Sequence, residues 1–299
     1  MGGCTMKKIL ISGGTGLVGN KIIENFSDAE FYILTRSDRD NTDNVTYINW
    51  SEDDYLKEVP EVDVVINLAG ASISQFWTEE NKEKIVHSRV DSTRELKRII
   101  DHQETKPFLI SASAVGYYPT SKANRYTEYD KYEPFDFLSK TVHVWENEAK
   151  KIEDTGVKTA YTRFGIIFSK EGGALPLIAL PYKLFVGGNI GDGHQPYAFV
   201  HIEDLVRALE FIADKELRGV FNITAPYPAT QEIVGKSIAK TIKRPHLLPA
   251  PKLLFEMTLG EQSKLITEGQ RALPKRLIEE GFKFKFETVE EAISDLYGK

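Results

Sequence analysis

The sequence is poor in cysteine and contains no long apolar run. One residue of 299 is cysteine, Cys4, so a disulfide framework within the chain and a cysteine-built metal site are both excluded. No stretch approaches the roughly eighteen apolar residues that a membrane-spanning helix needs. The opening MGGCTMKK lacks the apolar segment of a secretory signal. It also has Met6 where a myristoylation signal requires Ser or Thr. Met6 is expected to start the natural chain, with residues 1–5 an extension or vector remnant. No His, Asp and Glu cluster has metal-ligand spacing, so no metal is expected. A basic excess is missing as well: the net charge is −6, which argues against a general nucleic-acid surface. These absences point to a cytoplasmic protein without nucleic-acid or membrane partners. A hydrophobic content of 41% suffices for one large core, with or without a small second lobe.

What is present alternates between two periods. KKILISGGTGLVGNKIIENF reads as strand, tight turn and helix. FYILTRS (Phe31 to Ser37), NVTYINW, VDVVINLAG (Val62 to Gly70), PFLISASA and KTAYTRFGIIF read as further strands, too continuously apolar to be half exposed. Helical patterns lie between them, among them ENKEKIVHSRVDSTRELKRII and the segment from Pro134 to Glu153. Strands alternating with helices predict an α/β fold, a doubly wound parallel sheet of Rossmann type, over residues 6–168. After Phe168 the texture becomes rich in Gly and Pro, as expected of loops built around a ligand. Residues 169–299 are accordingly read as a smaller C-terminal substrate lobe with a helical tail.

Gly13, Gly16 and Gly19 in SGGTGLVG give G-x-x-G-x-x-G between a strand and a helix. One glycine permits the turn, one admits a pyrophosphate, and one lets the helix pack closely on its strand. A diphosphate over the helix N-terminus meets free N–H groups and the positive end of the dipole. The loop and first turn therefore supply Gly13, Thr15, Gly16, Leu17, Val18 and Gly19 as candidate cofactor contacts. The second strand ends in Thr35, Arg36 and Ser37, without the acidic residue that binds a ribose 2′-hydroxyl in NAD-specific folds. Arg36 suits a 2′-phosphate instead, so the expected cofactor is NADP(H); the alternative is an ordinary solvated charge at a strand end.

These residues resemble the extended short-chain dehydrogenases/reductases, of which the sugar-nucleotide epimerases are the best-known members. NLAG (Asn67 to Gly70) resembles the adenine-side motif, which adds Leu68, Ala69, Gly70 and Ala71 to the candidate cofactor contacts, together with Trp50 after the third strand. SASAVGYY (Ser111 to Tyr118) resembles the strand bearing the catalytic serine, and YAFVHIEDL (Tyr197 to Leu205) a segment of the substrate lobe. NLAGASI, FWTEENKEKIVHSRVDST, SAVGYY, GGALP and the tail EGQRALPKRLIEEGF narrow the resemblance to the YfcH-like epimerase family proteins, from Met6 to the C-terminus. The resemblance implies a small-molecule substrate, with a nucleotide-linked sugar as the candidate, and a homodimer formed through helices flanking the fourth and fifth strands.

Members of that superfamily use a Ser, a Tyr and a Lys, the last two spaced Tyr-x-x-x-Lys on a helix. The resemblance puts Ser113 at the serine. DFLSKTVHVWE (Asp136 to Glu146) occupies the helix, but the pair is missing. Anchored on Glu146, the tyrosine and lysine positions hold Leu138 and Val142; in the other register they hold Asp136 and Lys140. The literal Tyr-x-x-x-Lys at Tyr118–Lys122 contains Pro119 and lies in a polar loop, where side chains four apart do not meet. Tyr117 is the candidate surrogate acid, with a packing role as the alternative. Arg163 is either an anion ligand or half of an ion pair, and His143 either a base or a surface residue. His201 and Asp204 are expected to fix the substrate lobe by hydrogen bonds. Two functions remain open: an NADP(H)-dependent oxidoreductase or epimerase on a small polar substrate, and an NADP(H)-binding sensor or scaffold with little turnover.

Overall fold

The computed structural model describes residues 6–26 and 28–298; the residue 1–5 extension lies outside the described residues. In chain order the first half runs β1 (Lys7–Ser12), α1 (Leu17–Asn25), β2 (Ala29–Thr35), β3 (Val45–Asn49), β4 (Val64–Asn67), α2 (Glu79–Asp101), β5 (Phe108–Ala114), β6 (Arg125–Tyr126), α3 (Phe137–Glu153) and β7 (Thr159–Phe164). The second half runs β8 (Ile166–Phe168), α4 (Leu175–Lys183), β9 (Pro196–Tyr197), β10 (Phe199–His201), α5 (Ile202–Lys215), β11 (Gly219–Ile223), β12 (Ala229–Thr230) and α6 (Gln231–Thr241). The tail adds α7 (Lys252–Leu259), α8 (Lys264–Thr267), β13 (Arg271–Ala272), α9 (Lys275–Glu279) and α10 (Val289–Tyr297).

Seven strands form one sheet in the order β11-β7-β5-β4-β1-β2-β3, every neighbouring pair parallel. Helices cover both faces, so side chains alternate between two cores. Ile9 and Ile11 join Ile22 of α1 and Leu205 and Leu209 of α5 on one face. Leu10 joins Leu96 and Ile99 of α2 and Ile152 of α3 on the other. Each such side chain stabilises the fold by about 1.5–3 kcal/mol through burial. The chain order reverses between β1 and β4, the switch point at which open α/β sheets open a crevice at the strands' carboxyl ends.

The proposed division at Phe168 is cut across by the structure. Residues 202–223 return to the sheet: α5 packs on the β1 side with α1, and β11 pairs with β7 as the seventh strand. The rest of the second half has its own core, in which Leu175, Tyr182, Phe199, Val234, Phe286 and Ile293 meet.

Helix starts follow local chemistry. Thr78, Asp136 and His201 cap α2, α3 and α5 with their side chains. Asp136 and Ser139 form a reciprocal capping box, with Ser139 N–H donating to Asp136 Oδ1 at 2.8 Å and Asp136 N–H donating to Ser139 Oγ at 2.9 Å. That box accounts for the start of DFLSKTVHVWE.

Candidate functional site

The glycine loop packs its backbone too closely on its neighbours to admit a Cβ. Gly13 has φ +74°, the left-handed region that favours glycine, and a Cβ there would lie 2.8 Å from Ala69 N and Leu68 C. A Cβ on Gly19 would lie 2.4 Å from Gly14 Cα, which ties α1 closely to the loop. Gly16 N–H donates to Gly13 O and Gly16 O accepts from Asn20 N–H, leaving the N–H groups of Leu17, Val18 and Gly19 at the start of α1. Unlike α2, α3 and α5, helix α1 starts without a side-chain cap, and no acidic residue occupies its first turn. Thr15 and Gly16 are exposed. The start of α1 thus offers free N–H donors of the kind an anionic group requires.

The other candidate cofactor contacts surround this cradle. Leu68 N–H donates to Ser12 O at 2.9 Å, fixing the Leu68–Ala71 segment beside Gly13. Thr35 is buried, its hydroxyl donating to Ser37 O at 2.8 Å, and Trp50 N–H donates to Thr35 O. Arg36 projects from this corner, exposed, and among the described residues no carboxylate pairs with it. Beneath the next loop Arg89 Nη1 donates to Ala71 O and Ile85 O at 3.1 and 2.8 Å, with its guanidinium 5.1 Å from the Trp145 ring. Burial lowers its pKa to about 10.

The serine end is built differently. Ser113, Arg163 and Asn222 are register neighbours on β5, β7 and β11, so one row of the sheet carries all three. Glu146, from α3, reaches that row: Ser113 Oγ donates to Glu146 Oε1 at 2.6 Å, and Arg163 donates to both carboxylate oxygens at 2.8 Å. Arg163 Nη1 also donates to Tyr118 OH at 3.0 Å, within 2.9 Å of Asn222 Oδ1. Burial works against the charge on Arg163, but Glu146 outweighs it and holds its pKa above the usual arginine value. For Tyr118, burial pushes the phenol up to about 12 against the opposing pull of Arg163. A phenol so placed is a poor proton donor.

The helix position is settled by this network. Leu138, Val142 and Glu146 share one face of α3, and a Cβ on Gly116 would meet Leu138 and Val142 at 3.5 and 3.9 Å. Asp136 is the cap and Lys140 is exposed. Tyr118 has extended backbone (φ −91°, ψ 146°), and Lys122 pairs with Asp192, so the literal Tyr-x-x-x-Lys brings no pair together.

Tyr117 is buried among its neighbours. The Arg163 guanidinium sits 3.3 Å from its ring centroid and His143 stacks on it at 4.6 Å. Its hydroxyl accepts the N–H of Tyr132 at 3.2 Å. His143 is half-buried, each ring nitrogen against a carbonyl oxygen, Ser139 and Tyr132, which fits neither a base nor a surface residue. His201 caps α5. Asp204 is fully buried and accepts the N–H groups of Lys285 and Phe286.

Sequence reading missed the clamp formed by the tail. Glu128, buried and without a local motif, accepts the N–H groups of Asn222 and Arg276. Gln270 Nε2 donates to Tyr118 O, Gly269 O accepts from Ser121 N–H, and β13 pairs with β6. The EGQRALPKRL segment thereby closes the polar network behind Ser113. A separate cleft of about 410 Å³ opens between Thr120–Lys122, Ile190–Asp192 and Thr267–Gly269.

Comparison with known proteins places this geometry. The NAD dependent epimerase/dehydratase family matches residues 9–224, and a domain of unknown function (DUF1731) matches residues 250–296. An epimerase family protein of Staphylococcus epidermidis is 42% identical over 296 residues, 97% of this chain and 99% of that one. The human epimerase family protein SDR39U1 (isoform 2), solved with NADPH, superposes with TM-score 0.88 at 26% identity, covering 97% of this chain and 99% of that one. The UDP-glucose 4-epimerase of Thermus thermophilus, solved with NAD, shares the fold at TM-score 0.77 and 17% identity, covering 97% of each chain. The chain belongs to the NAD dependent epimerase/dehydratase family and carries the DUF1731 domain as its tail.

Proposed function

We propose that the protein binds NADP(H) across the glycine loop and acts on a small polar substrate without the Tyr–Lys proton chemistry of its superfamily. The observation that carries this reading is the N-terminus of α1, which has no side-chain cap and no acidic residue in its first turn, so that its N–H groups remain available to a phosphate. Gly13, Gly16 and Gly19 shape the cradle, Leu17 and Val18 offer N–H groups, and Thr15 borders it. Trp50, Thr35 and Leu68–Ala71 form the adenosine side. Arg36, which pairs with no carboxylate among the described residues, meets the 2′-phosphate. NADPH in the human relative supports the phosphorylated cofactor.

When bound, the nicotinamide ring supplies hydride transfer. Leu138 and Val142 lie beside Gly116, and neither moves a proton. Ser113 gives its own proton to Glu146, so towards the site it offers an acceptor lone pair. Such a serine binds a substrate hydroxyl or N–H more readily than it polarises a carbonyl. The same observation favours a second reading, an NADP(H)-binding sensor or scaffold with little turnover.

Calorimetric titration with NADPH, NADP, NADH and NAD tests the binding claim. NADPH should bind at least about tenfold more tightly than NADH, the value of roughly 1.4 kcal/mol from one charge-assisted contact. Equal affinities, or no binding, would reject it. NADPH oxidation against carbonyl and sugar-nucleotide panels separates the two readings: turnover supports the enzyme, and tight binding with zero turnover the sensor.

A further inference from the structure

The chain is acidic, yet residues 172–191 and 233–255 contain six Lys or Arg and no Asp or Glu; two of the six, Lys236 and Lys252, pair with Glu232 and Glu256 just outside these stretches. The fold brings these two stretches together. Leu247 and Leu248 N–H groups both donate to Gly187 O, and Arg244 lies 4.4 Å over the Phe185 ring. The junction is apolar and open to solvent: Phe185, Val186, Leu247 and Leu248 are 57%, 52%, 74% and 53% exposed. Phe185 and Lys243 also hold positive φ, +65° and +54°, strained for residues with bulky side chains.

Helix α4 extends the surface. Its inner face buries Leu175, Ala179 and Tyr182, while Leu177, Leu180 and the following Leu184 lie on the opposite side, 63%, 47% and 62% exposed. A helix apolar on both faces normally has cover on both. Helix α7, next to the Ile190–Ala250 bridge, buries none of its residues and exposes Leu253, Leu254 and Met257. Lys183, Lys240, Lys243 and Arg244 meet no carboxylate among the described residues; Lys183 and Arg244 contact only aromatic rings and backbone.

We infer that this face docks on an anionic phospholipid surface. Exposed Leu and Phe among unpaired Lys and Arg match an interface where apolar groups reach the acyl boundary and cations meet headgroup phosphates. A second copy of the chain fits poorly, because an isologous contact would set these cations against themselves. An acidic protein would satisfy the charges, but it would not need the broad apolar rim. The sequence-based expectation of no membrane partner rested on the lack of a spanning run and a myristoylation signal, and neither bears on a surface face. Among the described residues no helix is long and apolar enough to cross a membrane, so the contact is peripheral.

Flotation of the full chain with vesicles tests this. It should bind vesicles of phosphatidylcholine with roughly one-third phosphatidylglycerol, not pure phosphatidylcholine, and should detach near 0.5 M salt as screening shortens to a few Å. Each cation is worth roughly fivefold in partitioning, so Lys243→Glu with Arg244→Glu should weaken binding more than about 25-fold. Phe185→Asn with Leu248→Ser should weaken it about tenfold or more. Circular dichroism and unchanged melting confirm that both variants fold. No flotation of the wild type, flotation indifferent to lipid charge, or a dimer in solution that both variants dissociate would overturn the inference.

Discussion

The glycine-loop corner and the Ser113 corner stand at the same edge of one sheet, yet their polar groups are treated in opposite ways. At the loop, α1 starts without a side-chain cap and Arg36 has no carboxylate partner among the described residues. At Ser113, the hydroxyl, Glu146, Arg163, Tyr118 and Asn222 bond to one another. Exposed donors such as those at the loop are free to exchange water for a ligand, whereas the buried polar groups around Ser113 are already satisfied by the protein. The first corner resembles a binding site, and the second a joint that the tail locks.

The comparison can be broken by breaking the joint, and that is the largest effect expected. Glu146→Ala leaves Arg163, 3% exposed, without its carboxylate. Loss of one partner from such a buried pair costs about 3–5 kcal/mol. Chemical denaturation should show that loss, while the folded fraction still binds NADPH. A midpoint close to wild type would mean that the network is not structural.

Next is the cradle. Gly13→Val adds a Cβ 2.8 Å from the Leu68 and Ala69 backbone at a position with φ +74°. NADPH affinity should fall by about 100-fold or more, since strain and lost space together exceed roughly 2.7 kcal/mol. Unchanged affinity in calorimetry would move the cofactor elsewhere. A smaller change sharpens the contrast. Arg36→Ala should weaken NADPH by about 10- to 100-fold and leave NADH nearly unaffected.

The smallest effect concerns pH. Burial lowers the pKa of His201 from 6.5, although Asp295, Asp204 and Glu203 oppose the shift. A lowered pKa means the unfolded chain takes up the proton first, so the associated stability is present above 6.5 and declines as pH falls through the folded value. Replacing His201 by Asn, which can still cap α5, should flatten the decline in melting temperature over that acid range. An identical slope would assign the acid sensitivity to other groups.

What the sequence revealed follows how local each signal is. The glycine loop, the end of β2 and the apolar strands are short-range patterns, and the chain read from them a parallel sheet and a phosphate cradle. The capping box at Asp136 and Ser139 is equally local, lying within four residues. β11 escaped notice because five residues, GVFNI, become a sheet strand only through pairing with β7. The joint was the least legible part. Asn222 meets Glu128 across 94 positions and Arg276 meets Glu128 across 148, and no periodicity reports such distances. The resemblance located Ser113, but only its bond to Glu146 shows that its proton is directed inward.

The central claim is that the nucleotide half of the site is kept while the proton-transfer half has become structural. Calorimetric titration of wild type and Arg36→Ala with NADPH and NADH tests it most directly. The account predicts that wild type prefers NADPH by at least about tenfold and that the substitution removes most of that preference. Equal binding of both nucleotides by wild type, or a preference that survives the loss of Arg36, would contradict it.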